Sequence, residues 1–229
     1  MEPNRREKLA LIIAVFGFVA ILAMFAAWFN DRYMLVSAVL VVLCLAPFYL
    51  RFERKKTSAK ELVLIAVLVA LASIGRIPFA WIPSVQPSTF IIMMTGLVFG
   101  AEAGFLVGAM TALCTNLFLG QGPWTPWQMF SWGMVGCSAG WLNHWWWMRK
   151  RWGQIIFGFV WGLLFGWLTN LVTVVSLFSV FSWQLLLSIY AASLAFDLLH
   201  AVCNVILIWL FAASWVKILQ RFKRKYGLA

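Results

Sequence analysis

Two groups of residues in this 229-residue chain are of the types that could do chemistry. The first is Asp197, His200 and Asn204, an acid, an imidazole and an amide within one apolar run, spaced i, i+3 and i+7 and so on one helix face. Ionisable groups in such a run are costly unless paired. The row reads as a proton relay, as an intramembrane catalytic pair, or as a polar clasp to a neighbouring helix through Asn170 or Asn116. The second group is the loop Gly120-Gln-Gly-Pro-Trp-Thr-Pro-Trp-Gln128. Its two prolines fix backbone angles and its glycines allow tight turns, so the loop is stiff. Trp124 and Trp127 offer flat apolar faces beside the neutral hydrogen-bonding groups of Gln121, Thr125 and Gln128, a mixture typical of small-molecule sites. Interfacial tryptophans also serve as headgroup anchors, and composition leaves both roles open.

Other chemistries lack their signatures. The chain has no GxxxxGK[ST] loop for nucleotide phosphates, no HExxH for zinc and no GxSxG nucleophile elbow, so it cannot hydrolyse ATP by itself. Cys44, Cys114, Cys137 and Cys203 each fall in a different apolar run and read as small buried hydrophobes, with no disulfide framework or metal site.

The elements that must position these groups follow from composition. At 64% apolar, 11% charged and mean hydropathy +0.91, the chain has far more apolar surface than a water-soluble core can bury. A bilayer accepts it, because a helix of about 20 apolar residues crosses with every backbone polar group satisfied internally. Eight spans are predicted, over 9–29, 33–50, 60–80, 88–100, 102–119, 126–148, 154–181 and 185–216. The first is longer than a signal-peptide core and is read as a retained helix. Basic residues lie between spans: Arg5, Arg6 and Lys8, then Arg51 to Lys60, Arg149 to Arg151, and Lys217 to Lys225. Placing both termini in the cytoplasm puts all basic residues inside except Arg32 and Arg76, which satisfies the positive-inside rule. The net charge of +11 is therefore topogenic, and nucleic acid is not an expected partner.

The span at 88–100 is too short to cross the bilayer, so the preceding Trp81 to Pro87 segment is expected to dip inward and border a pocket open to the outside. Glycines recur every four residues at Gly96, Gly100, Gly104 and Gly108, at Gly136 and Gly140, and at Gly158, Gly162 and Gly166, which allows close helix packing. Ala66 and Ala70 form a similar pair just after the basic linker, where a small face could meet another protein.

Gly75-Arg-Ile-Pro-Phe79, Ile82 to Phe90, the glycine row and Gly120 to Met129 together resemble the substrate-binding S components of energy-coupling factor (ECF) vitamin transporters, most closely those specific for cobalamin. The resemblance covers residues 60–217. It implies a six-helix core over 60–217; the apolar runs make the whole an all-α integral membrane protein of about eight helices, in which a two-helix hairpin and basic linker (1–59) depart from the six-helix pattern and a basic cytoplasmic tail (218–229) follows. It implies residence in a bacterial cytoplasmic membrane, no enzymatic activity and no permanently bound cofactor. The partners implied are a T subunit and two ABC-type ATPases, which use ATP to topple the S component and release its vitamin inward. Ala66 and Ala70 match the family's AxxxA motif, which implies the T-subunit contact. Substrate binding falls to Arg76, Trp81, Gln86, Thr89, Gln121, Trp124, Thr125, Trp127 and Gln128, with cobalamin or a related corrinoid as ligand. His200 lies too deep to ligate the cobalt of so large a molecule. The rival readings are an S component for another vitamin, an intramembrane enzyme using Asp197 and His200, and a structural or assembly protein.

Overall fold

The computed structural model describes residues 58–177 and 182–227. The two expected N-terminal spans, with Cys44 and the basic residues around them, lie outside the described residues. Six α-helices are described: α1 (Ala59–Ile74), α2 (Pro87–Phe99), α3 (Ala101–Leu119), α4 (Thr125–Leu142), α5 (Arg151–Ser176) and α6 (Trp183–Tyr226). A single 3-10 turn, Ile77–Phe79, follows α1.

Local chemistry sets the helix ends. Ser58 opens α1, its hydroxyl accepting from the Glu61 N–H at 3.3 Å, with Glu61 at the capping-box position. Ser182 caps α6 in the same way through the Leu185 N–H. Pro87 and Pro126 sit in the first turns of α2 and α4, where no N–H partner is needed. Gly100 alone separates α2 from α3. Its φ of +96° reverses the chain in one residue, a conformation that a side chain would oppose.

The expected 13-residue helix is present as α2. Two other boundaries differ from expectation. Helix α4 stops at Leu142, six residues short, and turns carry the chain through Arg149 and Lys150. Helix α6 runs ten residues beyond the expected end at 216 and stops where Gly227, at φ 62°, takes the left-handed C-terminal position. Lysine and arginine are good helix formers, so a change from apolar to basic composition need not end a helix.

Among the described residues, four segments are long and apolar enough to cross a membrane: Ala59–Phe79, Ala101–Leu119, Arg151–Val174 and Trp183–Tyr226. Of the eight expected spans, the six that fall on described residues correspond to these four long apolar segments, the shorter α2 and the central α4. Helix α4 packs against α2, α3 and α5, and Trp132, Val135, Met129 and Ala139 are buried along it. A helix enclosed by its neighbours needs no lipid-facing stripe, so it can carry more polar residues than a peripheral one.

Glycine makes the enclosure possible. A Cβ on Gly136 would lie 2.1 Å from the Gly104 carbonyl oxygen, and one on Gly96 would lie 2.0 Å from that of Gly136. Helices α2, α3 and α4 thus meet backbone to backbone. In α5 and α6 the same device recurs, with Gly162 against Ala201 and Gly166 against the Asp197 carboxylate.

Candidate functional site

The chain alternates direction, so the C-terminal ends of α1 and α3 and the N-terminal ends of α2 and α4 share one end of the bundle. Arg76, just past α1, projects its guanidinium into that end. Its Nη1 donates to Asn116 Oδ1 at 2.8 Å and to Thr115 Oγ1, both on α3. The Thr115 hydroxyl spends its own proton on the Thr111 carbonyl, which leaves its lone pairs for the arginine. The guanidinium lies over the Trp132 indole of α4, 4.7 Å from the ring centre.

The network continues on both sides. Asn116 Nδ2 donates to Thr125 Oγ1 (3.0 Å) and Gln128 Oε1 (2.8 Å), tying α3 to the start of α4. The Thr125 hydroxyl donates to Gln121 Oε1 at 2.8 Å and accepts from the Gly122 N–H, so the stiff loop is fastened to the helix it precedes. On the other side, Trp132 Nε1 donates to Thr89 Oγ1 at 2.9 Å, and that hydroxyl pairs with His200 Nε2 at 2.8 Å. Phe165 packs against both the Trp132 and His200 rings. One chain of contacts therefore runs from Gln121 to α6.

Five of the nine expected binding residues join this cluster: Arg76, Thr89, Gln121, Thr125 and Gln128. The others are placed differently. Trp127 is buried in the core of α4, and Trp124 is half exposed with its ring folded over Gly122. Trp81 is 80% exposed and stands clear of the cluster. Gln86 sits at the start of α2, its Oε1 buried without a hydrogen-bond partner. Between Pro83 and Pro87 the chain turns through Ser84, whose φ of 59° is unusual for a residue with a side chain.

Sequence reasoning missed the two residues at the centre, Asn116 and Trp132. Asn116 carries a signal, as an amide in an apolar run one turn before the loop glycine Gly120, but the sequence pattern points to it only as a clasp for α6. Trp132 had none that distinguishes it among fifteen tryptophans.

The Asp197, His200 and Asn204 row divides. Ser193 Oγ donates to Asp197 Oδ2 at 3.0 Å and accepts from Asn170 Nδ2 of α5 at 2.6 Å. Asn204 Nδ2 donates to the Gly158 carbonyl of α5, while His200 turns to Thr89. Asn204 thus clasps α6 to α5 directly, and Asn170 reaches Asp197 only through Ser193, so Asn170 is a clasp partner by way of that serine. Asp197 and His200 engage different partners, an arrangement unlike that of a catalytic pair. Among the described residues no group of three or more His, Cys, Asp or Glu is placed to hold a metal ion.

At the opposite end, a depression of about 640 Å³ is lined by Gln220, Lys223, Arg224 and Gly227. Two of its four lining residues are basic and none is aromatic, unlike the indole, amide and hydroxyl groups that converge around Arg76. Ala66 and Ala70 are exposed on α1, within an apolar face that includes Val63, Val67 and Ile74.

The fold is that of a helical membrane protein with a buried polar cluster at one end of its bundle. Residues 60–212, two thirds of the chain, match the ECF transporter substrate-specific component family, and the chain belongs to that family. Its members are substrate-binding subunits of transporters rather than enzymes, and a multi-pass place in the cytoplasmic membrane follows. Among curated proteins, the chain is 36% identical over 88 residues to UPF0397 proteins of Vibrio atlanticus (strain LGP32) and Aliivibrio fischeri (strain MJ11), covering 36% of this chain and 48% of each relative. A UPF0397 protein of Vibrio vulnificus (strain YJ016) is 38% identical over the same length. The chain spans about half the length of the curated relatives it matches. No solved structure matches.

Proposed function

We propose that this chain captures cobalamin or a related corrinoid outside the cell, at the Arg76 end of the bundle, for uptake driven by a T subunit and two ABC-type ATPases. The observation that carries the reading is the convergence of Arg76, Asn116, Thr125, Gln128 and Trp132, from two helices and the turn after α1, at one end of the bundle. That end is the outer one by charge. Among the described residues, Arg76 is the only Lys or Arg between Glu61 and Met148, while Arg149 to Arg151 and Lys217 to Lys225 occupy the other end. A corrinoid is a broad apolar ring system rimmed with amides. Amide and hydroxyl groups from Gln121, Thr125 and Gln128, with the exposed faces of Trp81 and Trp124 nearby in sequence, suit it chemically.

Calorimetry with the detergent-purified chain and a panel of vitamins tests the reading. Cobalamin should bind in the absence of any partner. Binding of a different vitamin would keep the transporter role and reject the corrinoid, and no binding by any of them would reject both. The exposure of Ala66 and Ala70 supports their role as the docking face for the T subunit, since close helix crossings fail when small residues become large. Ala66→Leu or Ala70→Leu should abolish co-purification with the ATPase-bearing partners while vitamin binding stays intact. Equal loss of both would place these alanines in the chain's own packing.

A further inference from the structure

The Arg76 side chain carries a full positive charge, yet each contact the structure gives it is neutral: a hydroxyl, an amide oxygen and an indole face. No carboxylate pairs with it among the described residues. Both of its hydrogen bonds leave from Nη1, so of about five N–H donors on a guanidinium roughly three, on Nη2 and Nε, are unused. Those donors form the flat fork that takes a carboxylate or phosphate in two parallel hydrogen bonds.

The fork is also held in place. Asn116 is fixed through Thr125 and Gln128, Thr115 through its own helix, and Trp132 through Thr89. Three buried oxygens in the same half of the bundle have no partner: Ser73 Oγ, three residues before Arg76; Gln86 Oε1, at the start of α2; and Ser131 Oγ, beside Trp132. Unsatisfied buried polar atoms are few in native proteins, and each is a place where a water or ligand atom could supply the missing partner. A cation held rigid with its bidentate edge unused is the counterpart of an anion.

We infer that Arg76 is the anion receptor of the site, and that the captured ligand presents a carboxylate or phosphate oxygen to the Nη2 and Nε edge. The inference rests on the proposed capture role and narrows its substrate class. Cobalamin meets the requirement through the single phosphodiester of its nucleotide loop.

The test compares charged ligands with neutral analogues on the full-length chain in detergent: cyanocobalamin with dicyanocobinamide, which lacks the phosphodiester; biotin with biotinamide; and pantothenate with pantothenol. In whichever pair binds, the charged member should bind at least tenfold tighter. Arg76→Gln should erase that preference, and Arg149→Gln, at the other end, should preserve it. A neutral analogue that binds equally well, or a preference that survives Arg76→Gln, overturns the inference. The comparison on the unsubstituted chain stands even if the Arg76 variant fails to fold. Should biotin obey the rule while corrinoids fail to bind, the anion receptor stands and the corrinoid falls. Should no pair bind, thermal unfolding in inorganic phosphate against chloride at equal ionic strength decides. A higher midpoint in phosphate that Arg76→Gln loses supports the receptor, and equal midpoints overturn it.

Discussion

The α1–α4 half of the bundle and the α5–α6 pair are assembled with the same devices and put them to different ends. Both use glycine to bring backbones together, Gly104 against Gly136 in one and Gly162 against Ala201 in the other. Both bury polar side chains. In the pair, Asp197 and Asn204 lie two turns apart along one helix; Asn204 bonds directly across the α5 interface, and Asp197 accepts from Ser193 of its own helix, which in turn accepts from Asn170 of α5. In the four-helix half, Arg76 from the turn after α1, Asn116 from α3, and Thr125 and Trp132 from α4 come to one place. Polar groups strung along a helix hold it to its neighbour, whereas groups converging from several elements make a site.

Substitutions can break that contrast, beginning with the packing on which the converging half depends. Gly136→Val should have the largest effect. Its Cβ would meet the Gly104 backbone, which cannot rotate away, so a loss of about 3 kcal/mol, at the top of the overpacking range, is expected. Unfolding followed in detergent would show it, and a normal transition would mean that α3 and α4 are not in backbone contact. Next, Asn116→Leu removes three hydrogen bonds at the centre of the cluster and should weaken ligand binding at least tenfold, with about 2 kcal/mol lost in stability. Unchanged affinity would put the site elsewhere. The smallest effect belongs to Asp197→Asn, which keeps shape and can still accept from Ser193. Less than about 1 kcal/mol of stability and no affinity should be lost. A collapse of ligand binding in that variant would erase the distinction between the halves.

The sequence made the helix order legible, along with the 13-residue α2 and the loop residues Gln121, Thr125 and Gln128, because hydrophobic runs and proline or glycine punctuation act locally. It could not say which tryptophans of the loop face inward. Trp124 and Trp127 are three residues apart with similar neighbours, and which indole enters the core is decided by the first turn of α4 together with the packing of α2 and α3 around it. The central position of Trp132 is likewise a product of three helices meeting. The end of α6 differs from the sequence expectation for another reason. A run of basic residues marks where lipid ends, which is a different boundary from where a helix ends, and Gly227 was the better signal for the latter.

The length of α6 has a mechanical consequence. At about 1.5 Å per residue its 44 residues form a rod of roughly 66 Å, about twice the hydrocarbon thickness of a bilayer. Lys223, near the rod's tip, donates to the Val98 carbonyl at the end of α2, so the tip is linked to the bundle. The rod is a lever arm: if the bundle tilts as one body, the displacement at Tyr226 is amplified in proportion to its distance from the pivot, and a small rocking at the Arg76 end becomes a long sweep at the other.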